Sequence, residues 1–328
     1  MDLRGRPRRW KFFHILPGVA AFALSGCFTH QYRENPRVAV IAGDPLVQMA
    51  PEADFRSVDR ATMVPLARHS RRPDEDDRVI GVAFEDEARA YPLGLLDRFE
   101  VVNDDMKGTS YVVVRCALTG IAAAWNRRVG DRNLLFESTG ALWRDTLVFR
   151  DRETATYWSA ATGVGLAGPL AGQRLSGIAA TVTRGDRWEE VHPSSLYLDL
   201  GEKTTAPILL KIYRISPMQG VSGEKTTDRR HRPKEEMLAV ESGDEALAFT
   251  SREIERRDRV DTEFGGERLT IAWQADLAAP RAFRSDGSER PLVPMFWFAL
   301  ERHFATVRTL PSPPLTPGRA HAPASGSP

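Results

Sequence analysis

The sequence predicts a mainly β fold (β-rich α+β): two related modules of short antiparallel strands with a few short helices. Three observations predict it. Short runs of β-branched and aromatic residues alternate with tight turn signals. Successive strands lack the helical spacers of ten or more residues that a parallel α/β fold needs. The pattern of the first module also returns later in the chain, at an offset of about 158 residues.

In chain order, the first element is an N-terminal leader. Residues 1–11 hold Arg4, Arg6, Arg8, Arg9 and Lys11 against one acid, Asp2. An apolar run from Phe12 to Leu24 follows. It is too short for a helix across a hydrocarbon core of ~30 Å, but it has the length of a signal-peptide core. Leu24-Ser25-Gly26-Cys27 then resembles the lipobox of bacterial lipoproteins. That resemblance implies a signal peptide over 1–26, acylation of Cys27 and export to the cell envelope. Phe28 stands where an Asp would favour the inner membrane, which points to the outer membrane, facing the periplasm. With Cys27 lipidated, Cys116 is the one free thiol, so the fold must rest on its core rather than on a disulfide.

Residues 27–50 read as a lipidated tether, and 51–200 as the first, full module. Val79–Phe84 and Ala88–Tyr91 flank Glu85-Asp86-Glu87 as a hairpin. Tyr111–Cys116, Leu134–Phe136, Leu147–Phe149 and Thr156–Trp158 are further strands, with Asp151–Thr154 turning between the last two. Arg187–His192 reads as a short helix ended by Pro193. Residues 201–235 read as a linker, apart from a strand over Pro207–Tyr213. Residues 236–310 form the abbreviated repeat. Within it, the run from Met237–Val240 to Ala248-Phe249 matches that from Ile80–Val82 to Ala90-Tyr91, Gly266 matches Gly108, and Leu269–Trp273 matches Tyr111–Arg115. The tail, 311–328, is Pro-, Ala-, Ser- and Gly-rich and reads as disordered.

The first module also carries six motifs in fixed order: Ala88-Arg89-Ala90-Tyr91-Pro92-Leu93, Val101-Val102-Asn103-Asp104, Cys116-Ala117-Leu118-Thr119-Gly120, Leu147-Val148-Phe149, Asp151-Arg152-Glu153-Thr154 and Gly168-Pro169-Leu170-Ala171-Gly172. Together they resemble the bacterial family called domain of unknown function 3179, over roughly 51–200 with a weaker echo over 233–310. The family usually reads Cys-Pro-Leu-Cys-Gly where this chain has Cys116 to Gly120. It usually carries a His in the segment that is Asp97-Arg98-Phe99-Glu100 here, and Asn-Ser-Asp where this chain has Arg144-Asp145-Thr146. The resemblance implies that a His with two Cys could bind a soft metal or do thiol chemistry, and only one of those three groups survives here.

The candidate site residues follow. Cys116 ends a strand before a turn, where side chains reach pockets. It is a candidate nucleophile or single metal ligand, but a small buried apolar residue is the favoured reading. A catalytic thiol needs a base, and neither His69 nor His192 stands at a signature spacing from it. Asp104 is the second catalytic candidate. Asn103, Thr119, Asp151 and Trp158 are candidate pocket residues, although Asn103-Asp104 and Asp151 also suit turn hydrogen bonds. Trp143, Trp158 and Trp188 suit the core. Asp74 to Asp77 reads as a solvated acidic loop. The chain has no His-Glu-x-x-His helix, phosphate loop or Gly-x-Ser-x-Gly elbow. No metal or cofactor is expected.

With 328 residues and 42% hydrophobic composition, the chain can bury a sizeable core. Its formal net charge of +1 gives no basis for nucleic-acid binding. These readings converge on a lipid-anchored envelope protein whose globular part is a non-catalytic binding or interaction module. It would contact the membrane through its N-terminal lipid, and a protein or small molecule through the module. The alternative is a thiol-dependent or metal-handling enzyme with a degenerate family site around Cys116.

Overall fold

The computed structural model describes residues 37–41, 44–49, 56–68 and 77–310. The leader, Cys27, His69, Asp74-Glu75-Asp76 and the tail from Pro311 lie outside them. Four short strands lead in: β1 (Arg37–Ile41), β2 (Asp44–Gln48), β3 (Ser57–Val58) and β4 (Met63–Pro65). β5 (Arg78–Phe84) and β6 (Glu87–Pro92) then form the expected hairpin, followed by α1 (Leu93–Leu96). β7 (Val101–Met106), β8 (Thr109–Cys116) and β9 (Ile121–Asn126) make a meander. Lys107 and Gly108 both take positive φ at the β7–β8 corner, the geometry that matches a two-residue turn to strand twist.

Next comes a segment with no counterpart in the second module. It contains β10 (Arg128–Val129), β11 (Arg132–Asn133), β12 (Phe136–Trp143), β13 (Thr146–Asp151), β14 (Tyr157–Ser159) and β15 (Gly165–Ala167). β12 to β15 and the lead-in pair β1–β2 form one six-stranded sheet. The expected strand at Leu134–Phe136 is displaced. Leu134 and Leu135 give their amides to Arg127 O and to the Glu153 carboxylate, so the strand begins only at Phe136. β16 (Gly177–Ile178) returns to β9 and β17 (Thr181–Arg184) to β5. α2 (Gly185–Val191), the expected helix, then carries the chain to β18 (Leu196–Leu198), which lies parallel to β6.

Pro207–Tyr213 is not a strand. α3 spans Ile208–Ile215. Pro207 fixes the entry, and its carbonyl accepts from Leu210 and Lys211. A short apolar run fits either element by periodicity. The deciding contacts are on one face, where Leu210 and Tyr213 point inward three residues apart. Residues 216–235, read as part of a linker, pack closely: Met218 and Val221 are buried, and Gly220 N donates to Tyr213 Oη.

The second module runs β19 (Glu236–Ser242), β20 (Glu245–Phe249), α4 (Ser251–Arg257), β21 (Arg259–Phe264), β22 (Glu267–Gln274), β23 (Ala279–Arg284), β24 (Glu289–Arg290), β25 (Val293–Phe296), α5 (Trp297–His303) and β26 (Thr306–Thr309). The repeat holds at the level of register. Ile80 pairs with Tyr91 and Leu238 with Phe249; Val101 pairs with Val114 and Arg259 with Ala272. β25, α5 and β26 stand to β19 and β20 as β17, α2 and β18 stand to β5 and β6, including the parallel last pair. The two modules are therefore related, and among the described strands only the β3–β7, β6–β18 and β20–β26 pairings are parallel.

Their packing is reciprocal. β25 lies against β9, and its counterpart β17 lies against β23. The largest buried cluster joins Val112 and Val114 of the first module to Met237 and Trp297–Leu300 of the second. Near this junction Arg78 pairs with Glu236 at 2.7 Å, and these are corresponding positions of the repeat. No helix among the described residues is long and apolar enough to cross a membrane.

Candidate functional site

A pocket of about 430 Å³ lies between α3, the end of β8, and the inserted strands β12 and β13. Leu142 and Leu147 form one wall, and Leu210, Ile212 and Tyr213 of α3 form the roof. Several bonds hold the roof in place. Tyr213 Oη donates to Leu118 O at 2.6 Å, Arg214 reaches Asp97 at 3.3 Å, and Lys234 Nζ donates to the α3 carbonyl of Tyr213 and to Ser216 O. A lysine on the last carbonyls of a helix also meets the favourable end of its dipole.

The polar part of the pocket is small. Asp97 is spent on Arg115, whose Nε donates at 3.0 Å, and that buried guanidinium also bonds the carbonyls of Gly120 and Ile121. Glu100 differs. Its carboxylate accepts from Ser138 Oγ at 2.6 Å, and among the described residues no cation pairs with it. Burial pushes its carboxyl up to about 7; the Ser138 bond pulls the other way and Asp97 adds to the rise. Glu100 is therefore a half-neutral acid facing an otherwise apolar space near neutral pH.

Of the expected site residues, Cys116 and Thr119 come together. Cys116 is 3% exposed and lines the pocket. Its Sγ accepts from Leu147 N at 3.4 Å, and Thr119 also bonds it. Burial pushes the thiol up, against these hydrogen bonds. Thr119 reaches Thr146 Oγ1 at 3.4 Å, and Thr146 lies 2.6 Å from His303 Nε2. Burial drives the His303 imidazole down to about 3, with Arg144 and Arg302 adding to the effect. The imidazole is thus neutral at physiological pH, and Thr119 and Thr146 separate it from the thiol.

Native Cys116 is accordingly expected to resist iodoacetamide at pH 7 and to react only after unfolding. Labelling of the folded protein within minutes, followed by mass spectrometry, would contradict that account.

The other expected residues are elsewhere. Successive strand residues face opposite ways, so Asn103 and Asp104 cannot share one pocket. Asn103 is fully buried; it donates to Val58 O and Phe136 O and accepts from Phe136 N, joining β3, β7 and β12. Asp104 faces the other side, where Arg89 and the Tyr91 hydroxyl donate to it. Asp151 accepts from Trp158 Nε1 at 2.8 Å and from Thr154, closing the turn after β13. Trp158 and Trp188 are buried, as their core reading expects. His192 stacks on Trp188 rather than on the thiol.

Positions at which this chain departs from the resembled motifs thus meet in space: Thr119 and Thr146 touch each other beside Cys116. A family model described as protein of unknown function (DUF3179) matches residues 53–312. The chain belongs to that family. The match runs through both modules rather than the first alone. No curated protein and no solved structure matches the chain. In this DUF3179 member, two neutral hydroxyls stand where the motif carries a second thiol and a carboxylate. Among the described residues, no group of three His, Cys, Asp or Glu side chains is placed to hold a metal ion. The DUF3179 position that usually carries His is Phe99, packed in a separate cluster with Leu95 and Val102. Glu100 belongs to the same motif. Its place beside the lost His was the available signal for it.

Proposed function

We propose that this chain is a lipid-anchored protein of the bacterial envelope, held through Cys27, whose first module binds a small apolar molecule beneath α3 without catalysis. One observation carries the reading: a pocket of about 430 Å³ walled by Leu142, Leu147, Leu210 and Met218, with Glu100 as a carboxyl that no cation among the described residues pairs with. Small-molecule sites take this form, a mostly apolar cavity with a few placed polar groups. A desolvated thiol bonded to Thr119 offers little support for nucleophilic chemistry.

Ala117 lies on the pocket wall, in the turn after β8. N-phenyl-1-naphthylamine, which brightens in apolar sites, is expected to bind the native protein saturably. Ala117→Trp fills the space and is expected to weaken binding at least about tenfold, ~1.4 kcal/mol. Equal affinity in a variant that melts like the parent would remove the pocket from the account. For the anchor, Cys27→Ala is expected to abolish acylation and membrane retention. A Cys27→Ala protein that still sediments with membranes, cut at the same bond, would overturn the lipobox reading.

A further inference from the structure

Among the described residues, the large apolar side chains left exposed are Val38, Ile208, Leu209 and Ile215. Three of these four are on α3, at 68%, 56% and 78% exposure. α3 contains no acid, and its only charged residues are Lys211 and Arg214. Helical periodicity puts Ile208, Lys211 and Ile215 on one face, opposite Leu210 and Tyr213. Leu209 belongs to both sides, being exposed and also on the pocket wall. A helix apolar all round is ordinarily covered all round. Here the described residues cover only the inner face.

We propose that the outer face of α3 docks on an anionic lipid bilayer, and that the pocket beneath it takes up a single-chain amphiphile from that bilayer. The inference rests on the binding reading above and names its ligand class. Charge favours a bilayer over a second copy of the chain. A symmetric contact sets the same patch against itself, so the Lys211 of each copy would meet like charge at a two-fold interface. Arg214 is paired with Asp97, but the exposed Lys211 stands between Ile208 and Ile215 on an acid-free helix, and anionic headgroups complement that arrangement.

The tether supplies the second argument. β1 begins at Arg37, so the ten residues that lead to it from Cys27 reach at most ~36 Å. β2 pairs with β12, and Met49, just beyond β2, lines the pocket. The strand to which the tether leads, β1, is therefore on the same sheet as the pocket wall at β12, and the exposed Val38 is on β1. The pocket's volume supports the ligand class. At ~30 Å³ per water-sized unit, 430 Å³ takes on the order of a dozen heavy atoms, the size of a medium acyl chain. Leu142, Leu147 and Leu210 would meet the tail, and the Glu100 carboxyl the polar end.

The cysteine pattern makes the test clean. With Cys27 acylated and Cys116 buried, an introduced cysteine is the one reactive thiol. Ile208→Cys and, at an exposed turn of the second module, Ser285→Cys would each be labelled with an environment-sensitive fluorophore. Both lipidated proteins would be reconstituted in vesicles of phosphatidylcholine and phosphatidylglycerol. The label at 208 is expected to shift to the blue and to be quenched by spin-labelled lipid at least about fivefold more than the label at 285. Equal, water-like signals from vesicle-bound protein would overturn the docking surface.

A second variant, Ile208→Glu with Ile215→Glu, alters residues that do not line the pocket. It is expected to slow transfer of a dansyl-labelled dodecanoate from vesicles about tenfold, with N-phenyl-1-naphthylamine binding unchanged. Unchanged transfer would also overturn the proposal. Loss of N-phenyl-1-naphthylamine binding in the parent protein would instead overturn the pocket reading itself, and failure of the protein to associate with vesicles would overturn the anchor.

Discussion

Replacing Asp145 with alanine is expected to destabilise the protein by about 3–5 kcal/mol. The Asp145 side chain is almost fully buried and serves four donors. Val221 N and Ser222 N donate to Oδ1 at 2.6 and 2.8 Å, Ser222 Oγ donates to Oδ2 at 2.6 Å, and the Arg302 guanidinium donates to Oδ2. Alanine would leave a largely buried cation and three further donors without their acceptor, the case in which breaking a buried pair is most costly. Asp145→Asn keeps an acceptor for the two amides but sets a neutral group against Arg302, so an intermediate loss is expected. Urea unfolding measures both. A loss under ~1 kcal/mol for the alanine variant would mean that Arg302 is satisfied by its other bonds, to Gln219 O and Glu224 O. Val221 and Met218 also line the pocket, so the alanine variant is expected to bind N-phenyl-1-naphthylamine less well.

Glu100→Gln is expected to change the pH dependence of stability. Burial raises the folded-state value of Glu100 to about 7, above its ordinary value of 4.5. Between those two values the folded protein keeps a proton that the unfolded chain has released. Stability from this group is therefore full below about 4.5, falls as pH rises and is lost above about 7. At ~1.4 kcal/mol per pH unit, the total is on the order of 3–4 kcal/mol. Glutamine cannot ionise, yet it can still accept from Ser138. The variant should match the parent near pH 4.5 and exceed its stability near pH 8 by that amount. Parallel melting curves for parent and variant from pH 4.5 to 8 would show that Glu100 ionises in the folded state without penalty. Binding of an apolar probe to the parent should also weaken above pH 7, as a carboxylate appears on the pocket wall.

Much of the fold was legible because the repeat constrains register as well as composition. Glu85-Asp86 and Lys107-Gly108 marked corners that recur at Gly243-Asp244 and Gly265-Gly266, and the pairings on either side recur with them. α3 was illegible for a local reason. Six of its eight residues are apolar or aromatic, so neither period stood out, and only packing under Leu118 and over Leu147 decides the element. The site was half legible. Cys116 and Thr119 share a turn and could be read as neighbours. Thr146 and His303 join them through contacts far apart in the chain. Glu100 becomes significant only once α3 and the inserted sheet shut out water. Asn103 and Asp104 suggested a polar pair, but the pleat of β7 sends them to opposite faces, each to structural bonds.

The Arg78–Glu236 pair has a consequence for how such a molecule can change. In a dimer of identical chains, a side chain near the two-fold axis meets its own copy, so any charge there faces like charge. When both copies are carried on one chain, each can vary by itself, and arginine can stand opposite glutamate. The same independence let one half gain the strands between β9 and β16 while the other turns from β23 to β24 almost at once. Those extra strands form a wall of the pocket. Loss of symmetry at the junction and a pocket walled by strands that only the first module carries are two outcomes of one covalent link.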